Sequence, residues 1–333
     1  MAAQKELVMT QGSLYYEVRQ TKESSREVVV TGADSFISEL VIPDKIEDCP
    51  VTTIGKKAFL SRKQLRRLVL PDTIEELGDW AFAYCSGLEQ VVLPGREIKF
   101  GRSLFLECGK LRKLTVVTGG MDIDAEKSEG EPQRDTEELL AAAVTVFDSY
   151  YLLDPVHAGT GEWLEKWDAR LQTYLHADDQ EGYSKQVLCG EEDYGSTDLE
   201  AFLSNKRKGK VRMCFLRLIN SNGLCEQLRQ ELVAYLLAHT AREAENGQAA
   251  EPLKGHSGTR YGEEAWEIVL TEFGDERRYY ESFAQLGCLT EENFGRVMAD
   301  IGEDYPEMKA YFLKIKEQQI GYTDFFEELS LDL

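Results

Sequence analysis

Apolar and polar positions alternate in two different ways along this chain. In the first third, short apolar–x–apolar runs return at a fixed spacing, the mark of brief strands in a repeating unit. Ile54-Gly55-x-x-Ala58-Phe59 recurs as Leu77-Gly78-x-x-Ala81-Phe82 and as Phe100-Gly101-x-x-Leu104-Phe105, 23 residues later each time. Leu65-x-x-Leu68-Val69-Leu70-Pro71 keeps step with Leu88-x-x-Val91-Val92-Leu93-Pro94 and Leu111-x-x-Leu114-Thr115-Val116. An earlier copy, Leu40-Val41-Ile42-Pro43, sits 28 residues before Leu68, so the extra residues predict a loop around Asp48-Cys49-Pro50. One such unit cannot cover its own hydrophobic face, and stacked units can, so the spacing predicts a solenoid. The outer apolar residues of each strand face the core, the proline ends the strand, and the glycine permits the turn into the Ala-Phe half. Phe59, Phe82 and Phe105 then stack as a ladder.

From Thr136 the period becomes helical. Leu140, Val144, Phe147 and Tyr151 share a face, as do Val211, Cys214, Phe215 and Leu218. The same spacing holds for Trp266, Val269, Leu270 and Phe273, for Phe294, Val297, Met298 and Ile301, and for Met308, Tyr311, Phe312 and Ile315. Trp163, Trp167 and Leu171 read as a core stripe, and Thr197-Asp-Leu-Glu200 as a capping box. Between the two patterns, 119–135 has three glycines, six acids and two bases without a hydrophobic period, and reads as an acidic flexible linker. The expected fold is α+β multidomain: a leucine-rich solenoid of parallel strands over 1–118, the linker, and an all-α domain of helical hairpins over 136–333, divided into two lobes at 241–262.

The repeats resemble the bacterial BspA-like leucine-rich repeats. Pro71-Asp-Thr-Ile74-Glu-Glu-Leu77-Gly78-Asp-Trp-Ala81-Phe82-Ala-Tyr-Cys85 follows that family's pattern, with Cys85 and Cys108 in its small buried position and Arg62 replacing them in the first copy. Leu14 to Val18 and Val28 to Gly32 look like the hairpin that caps such arrays. The resemblance spans roughly 10–118 and implies a recognition scaffold; the helical remainder has no assigned family.

Side chains alternate along a strand, so the central residue of each must face away from the core. Val41, Val69, Val92 and Thr115 form one such row, and Glu39, Arg67, Gln90 and Lys113, two positions earlier, form another. These eight residues are the candidate binding surface: an apolar stripe bordered by polar groups.

Charge and composition narrow the classes. Lys and Arg number 38 and Asp and Glu 60, a net charge of −22 that argues against a nucleic-acid partner. Through Thr118 there are 17 bases and 16 acids, leaving 21 and 44, so the array carries +1 and the remainder −23. An intramolecular contact between Lys56, Lys57, Arg62, Lys63, Arg66 or Arg67 and the acidic helices is one expectation. Met1 to Thr10 lacks the apolar run of a signal peptide, and no run reaches membrane-spanning length, so a cytoplasmic protein with seven mostly buried free cysteines is expected.

Catalytic signatures fail: GxxxxGK[ST], GxGxxG and HExxH are missing, and Gly255-His-Ser257-Gly258 lacks the final glycine of GxSxG. Asp122-x-Asp124-x-Glu126 has Lys127 and Gln133 where a calcium loop needs glycine and glutamate. His157, His176, Asp178 and Asp179 lack metal-ligand spacing, so no metal or cofactor is expected. The basic run Lys206 to Arg212 has no interleaved aromatics and reads as a solvated helix-hairpin turn. The favoured function is a non-enzymatic scaffold that binds a protein partner through the sheet face. The alternatives are an enzyme or regulatory domain with an unrecognised carboxylate site in the helical part, and a surface adhesin exported without a signal peptide.

Overall fold

The computed structural model describes residues 4–21, 24–117, 131–181, 199–240 and 263–319. Two compact units divide it, Met1–Thr173 and Tyr174–Leu333.

The first unit opens with strands β1 (Lys5–Met9), β2 (Gly12–Gln20) and β3 (Arg26–Ala33), antiparallel to one another in sequence. β3 then pairs in parallel with β6 (Cys49–Ile54), and the ladder continues through β8 (Glu76–Leu77) to β10 (Lys99–Phe100). The N-terminal hairpin therefore caps the array by extending one of its sheets. The other sheet is four parallel strands in the order β11 (Lys113–Val117), β9 (Gln90–Pro94), β7 (Arg67–Val69) and β4 (Glu39–Val41). Each turn gives one strand to each sheet.

The extra residues after the first copy form a hairpin. β5 (Lys45–Ile46) pairs with the start of β6, and Cys49 and Pro50 are strand residues where a loop was expected. Glu47 and Asp48 make the connection with φ of 51° and 59°, the two left-handed positions of a type I′ turn. Glu47 also ties the cap down, receiving Lys5 Nζ at 2.8 Å and the Tyr16 hydroxyl at 3.0 Å.

The phenylalanine ladder is present: Phe59 and Phe82 stack with centroids 5.4 Å apart, and Phe82 and Phe105 at 5.6 Å. Beside it, the Cys85 thiol donates to the Phe59 carbonyl at 3.0 Å and the Cys108 thiol to the Phe82 carbonyl at 3.1 Å. The glycines have another reason than the one expected. A Cβ on Gly78 would lie 2.6 Å from the Lys56 nitrogen, and one on Gly101 2.4 Å from the Asp79 nitrogen, so glycine lets consecutive backbones touch. The left-handed residues of the turns are instead Lys57, Trp80 and Ser103, and Ser61, Tyr84 and Glu107, with φ between 51° and 60°.

Where a fourth Ala-Phe turn would stack, helical chain takes over. The Phe59 N–H donates to the Ala81 carbonyl and the Phe82 N–H to the Leu104 carbonyl, each on the following turn; the Phe105 N–H donates to the Tyr150 hydroxyl at 3.2 Å. Tyr150 begins a short 3-10 turn (Tyr150–Leu152) between α1 (Glu131–Thr145), which packs against β11, and α2 (Gly161–His176). Trp163 and Trp167 are buried as expected, their indoles donating to the Leu152 and Leu139 carbonyls. Tyr151 is exposed and does not share the buried face of Leu140, Val144 and Phe147. The compact unit thus continues to Thr173, past the boundary read at 118, and α1 begins inside the segment read as linker, whose residues 119–130 lie outside the described ones.

The second unit is helical: α3 (Leu199–Ile219), α4 (Glu226–Ala238), α5 (Glu264–Glu272), α6 (Arg277–Gln285), α7 (Glu291–Ile301) and α8 (Pro306–Gln319). α3 packs against α4, α5 and α6 with Val211, Cys214, Phe215 and Leu218 buried. Trp266 centres an aromatic cluster with Tyr280, Phe283 and Phe312 at 5.3 to 6.2 Å. The buried Arg217 closes α3 by donating to the carbonyls of Asn220 and Asn222. A capping box forms at Thr290 and Asn293; the one read at Thr197 and the lobe division at 241–262 fall outside the described residues.

Candidate functional site

Strand register builds the two expected rows directly. Glu39 pairs with Arg67, Arg67 with Gln90 and Gln90 with Lys113; Val41 pairs with Val69, Val69 with Val92 and Val92 with Thr115. Hydrogen bonds link the polar row: Arg67 Nε donates to Gln90 Oε1 at 3.3 Å, and Gln90 Nε2 to Thr115 Oγ1 at 3.2 Å. Alternation alone does not announce that link, which crosses from one row to the other.

The apolar row is not the open stripe that alternation suggested. Val41, on the edge strand, is 46% exposed, but Val69 and Val92 are 2% and 8% exposed, and Thr115 is half-buried. Alternation fixes which way a side chain points and says nothing of what lies above it. The accessible part of this face is Glu39 and Val41, with Arg67, Gln90, Lys113 and Thr115 partly exposed.

The basic run Lys206 to Arg212 is neither a turn nor fully solvated. It lies within α3, and Lys208 meets Glu267 at 2.6 Å while Lys210 meets Asp179 and the Ala177 carbonyl, both at 2.6 Å. Arg212 grips Glu272 through two nitrogens. Gly209 is tight against Tyr174, whose hydroxyl would lie 2.5 Å from a Cβ placed there. The run therefore holds helices together through ion pairs that span 31 to 60 residues.

His157 pairs with Asp154 at 2.9 Å and His176 with Glu231 at 2.5 Å, both exposed. Among the described residues no three His, Cys, Asp or Glu side chains come together as a metal site. One group in the helical unit stands out: Glu264, at the start of α5, is 1% exposed and neither of its carboxylate oxygens has a hydrogen-bond partner. Beside it, Glu263 pairs with Arg296 at 2.6 Å.

Five of the six described cysteines are buried and Cys225 is exposed. Burial pushes the Cys85 thiol up to about 11 and the Cys108 thiol up to about 12, so both are inert at neutral pH. Among the described residues no helix is long and apolar enough to cross a membrane.

Residues 33–126 match the family described as BspA type Leucine rich repeat region, in six copies. Among solved structures, a leucine rich cell surface protein of Faecalibacterium prausnitzii is 24% identical over 34% of this chain and 30% of its own, with a TM-score of 0.27. A leucine-rich repeat protein of Bacteroides capillosus is 23% identical over 34% of this chain and 99% of its own, with a TM-score of 0.28. The pneumococcal vaccine antigen PcpA is 19% identical over 35% of this chain and 39% of its own, with a TM-score of 0.24. This chain thus spans less than a third of the length of the first of these. No curated protein matches it.

Proposed function

We propose, from residues 33–126 being a BspA-type leucine-rich repeat region, that this chain is a non-enzymatic scaffold that binds a protein partner through the outer face of its four-stranded sheet. Repeat regions of this family are protein-interaction or adhesion modules and are typically non-enzymatic. The observation that carries the reading is the register of four parallel strands, which sets Glu39, Arg67, Gln90 and Lys113 in one continuous row on a rigid support. Such a row presents a carboxylate, an amide and two cations at fixed spacing, and the hydrogen bonds from Arg67 to Gln90 to Thr115 pre-order part of it. Exposed Val41 adds an apolar contact at its edge.

The test uses accessible residues, because a charge at Val69 or Val92 would be buried and would disturb packing. The triple variant Glu39→Lys, Val41→Asp, Lys113→Glu should keep the wild-type circular dichroism and lose the proteins that the wild-type chain captures from native lysate. A variant that captures the same set would place binding elsewhere.

A further inference from the structure

We propose that the turn side of the repeat array binds an acidic peptide carrying an aromatic or aliphatic anchor. Lys56, Lys57 and Arg102 take its carboxylates, and Trp80, Tyr84 and Leu106 its apolar groups.

The backbone explains how these side chains come to the surface together. In the middle turn Phe82 points into the core, while Trp80 and Tyr84 on either side of it have φ of 54° and 60° and mark the two corners. Turn-to-turn bonds fix the neighbours: the Lys57 N–H donates to the Asp79 carbonyl, that of Trp80 to Arg102 at 3.0 Å, and that of Tyr84 to Leu106 at 2.7 Å. The Lys56 and Lys57 ammoniums each lie 5.2 Å from the centroid of the Trp80 ring. Both lysines are exposed, and among the described residues neither has a carboxylate partner. The Arg102 side chain is 88% exposed and approaches Asp79 no closer than 3.9 Å, while the other Asp79 oxygen accepts the Arg102 N–H. Tyr84 and Leu106 are 49% and 36% exposed on adjoining turns. Within the three turn segments, 55–64, 78–87 and 101–110, the acids are Asp79 and Glu107.

Cations over an aromatic ring retain outward-facing N–H donors, and a carboxylate completes them without displacing the ring. Exposed aromatic and aliphatic surface next to them favours an anchor that buries against it. A long polyanion is the poorer match, since beyond the patch it would meet a chain of net charge −22. A short peptide avoids this, because charges more than about 8 Å away are screened at physiological salt. This surface differs from the sheet face, so the two readings stand or fall separately.

The experiment is fluorescence anisotropy on the full-length chain, with a labelled short peptide of Glu, Asp, Phe and Leu as probe. Binding should weaken with salt, fall at least about tenfold in Lys56→Glu/Lys57→Glu, and fall in Trp80→Asn, which suits the left-handed backbone. The sheet-face triple variant should bind the probe as the wild type does. A probe with Lys in place of Glu and Asp should not bind. The proposal is overturned if the wild type fails to bind, if the lysine double variant binds equally while its circular dichroism is unchanged, or if a labelled oligothymidylate binds more tightly than the peptide.

Discussion

Phe82 stands between two parallel rings, and no neighbour on either side can collapse into its place without breaking its own stack. Phe82→Ala should therefore cost about 3 to 5 kcal/mol in denaturant unfolding, the upper range for an aromatic core truncation. Gly78→Ala adds one methyl group against the Lys56 backbone and should cost about 1 to 3 kcal/mol, which a turn-permitting role alone would not require. Two carboxylates of α5 should respond in opposite ways. Glu264→Met removes a buried group without partners and should be neutral or stabilising, whereas Glu272→Ala strips the partner of Arg212 and should cost about 2 kcal/mol or more. A thermal melt that ranks them the other way would mean Glu264 holds a stabilising contact.

Elements here are finished by single polar groups. Tyr150→Phe would leave the Phe105 N–H without an acceptor, at a cost of about 1 to 3 kcal/mol, and amide exchange at Phe105 should accelerate ahead of that at Phe82. At the other end Glu47 joins the β5–β6 hairpin to Lys5 and Tyr16, and those hydrogen bonds, Lys5 first, hold its carboxyl below the ordinary range. A carboxyl whose pKa is lower folded than unfolded adds stability above the unfolded pKa, and that part is lost as pH falls through the folded value. Glu47→Gln should flatten the acid limb of the pH–stability curve, and salt should shrink the difference, because the pair is exposed. The ladder was readable in the sequence because stacked turns must offer like side chains to like neighbours every 23 residues. Tyr150 was not readable, since one hydroxyl in a helical segment has no period, and neither were the partners of Lys208, Lys210 and Arg212, which lie far away in sequence. The sheet rows followed from alternation, but the burial of Val69 and Val92 depends on what lies over them.

For the whole molecule, the extent of the first unit carries a consequence for truncation. A fragment ending at 118 would leave β11 without α1 and Phe105 without Tyr150, while one ending at Thr173 keeps both. Fragment 1–173 should melt cooperatively and 1–118 should not, or should melt at a markedly lower temperature. Equal melting of the two would show that the helices are not needed to close the array.

The backbone bonds between turns also set how the array would yield to force. They run from each turn to the next, so a pull on the two ends loads one interface at a time. Each 23-residue turn that peels away frees about 76 to 83 Å of extended chain. In an optical trap the array would act as a ratcheted tether, lengthening in equal steps but for one longer step where the β5–β6 hairpin is let out.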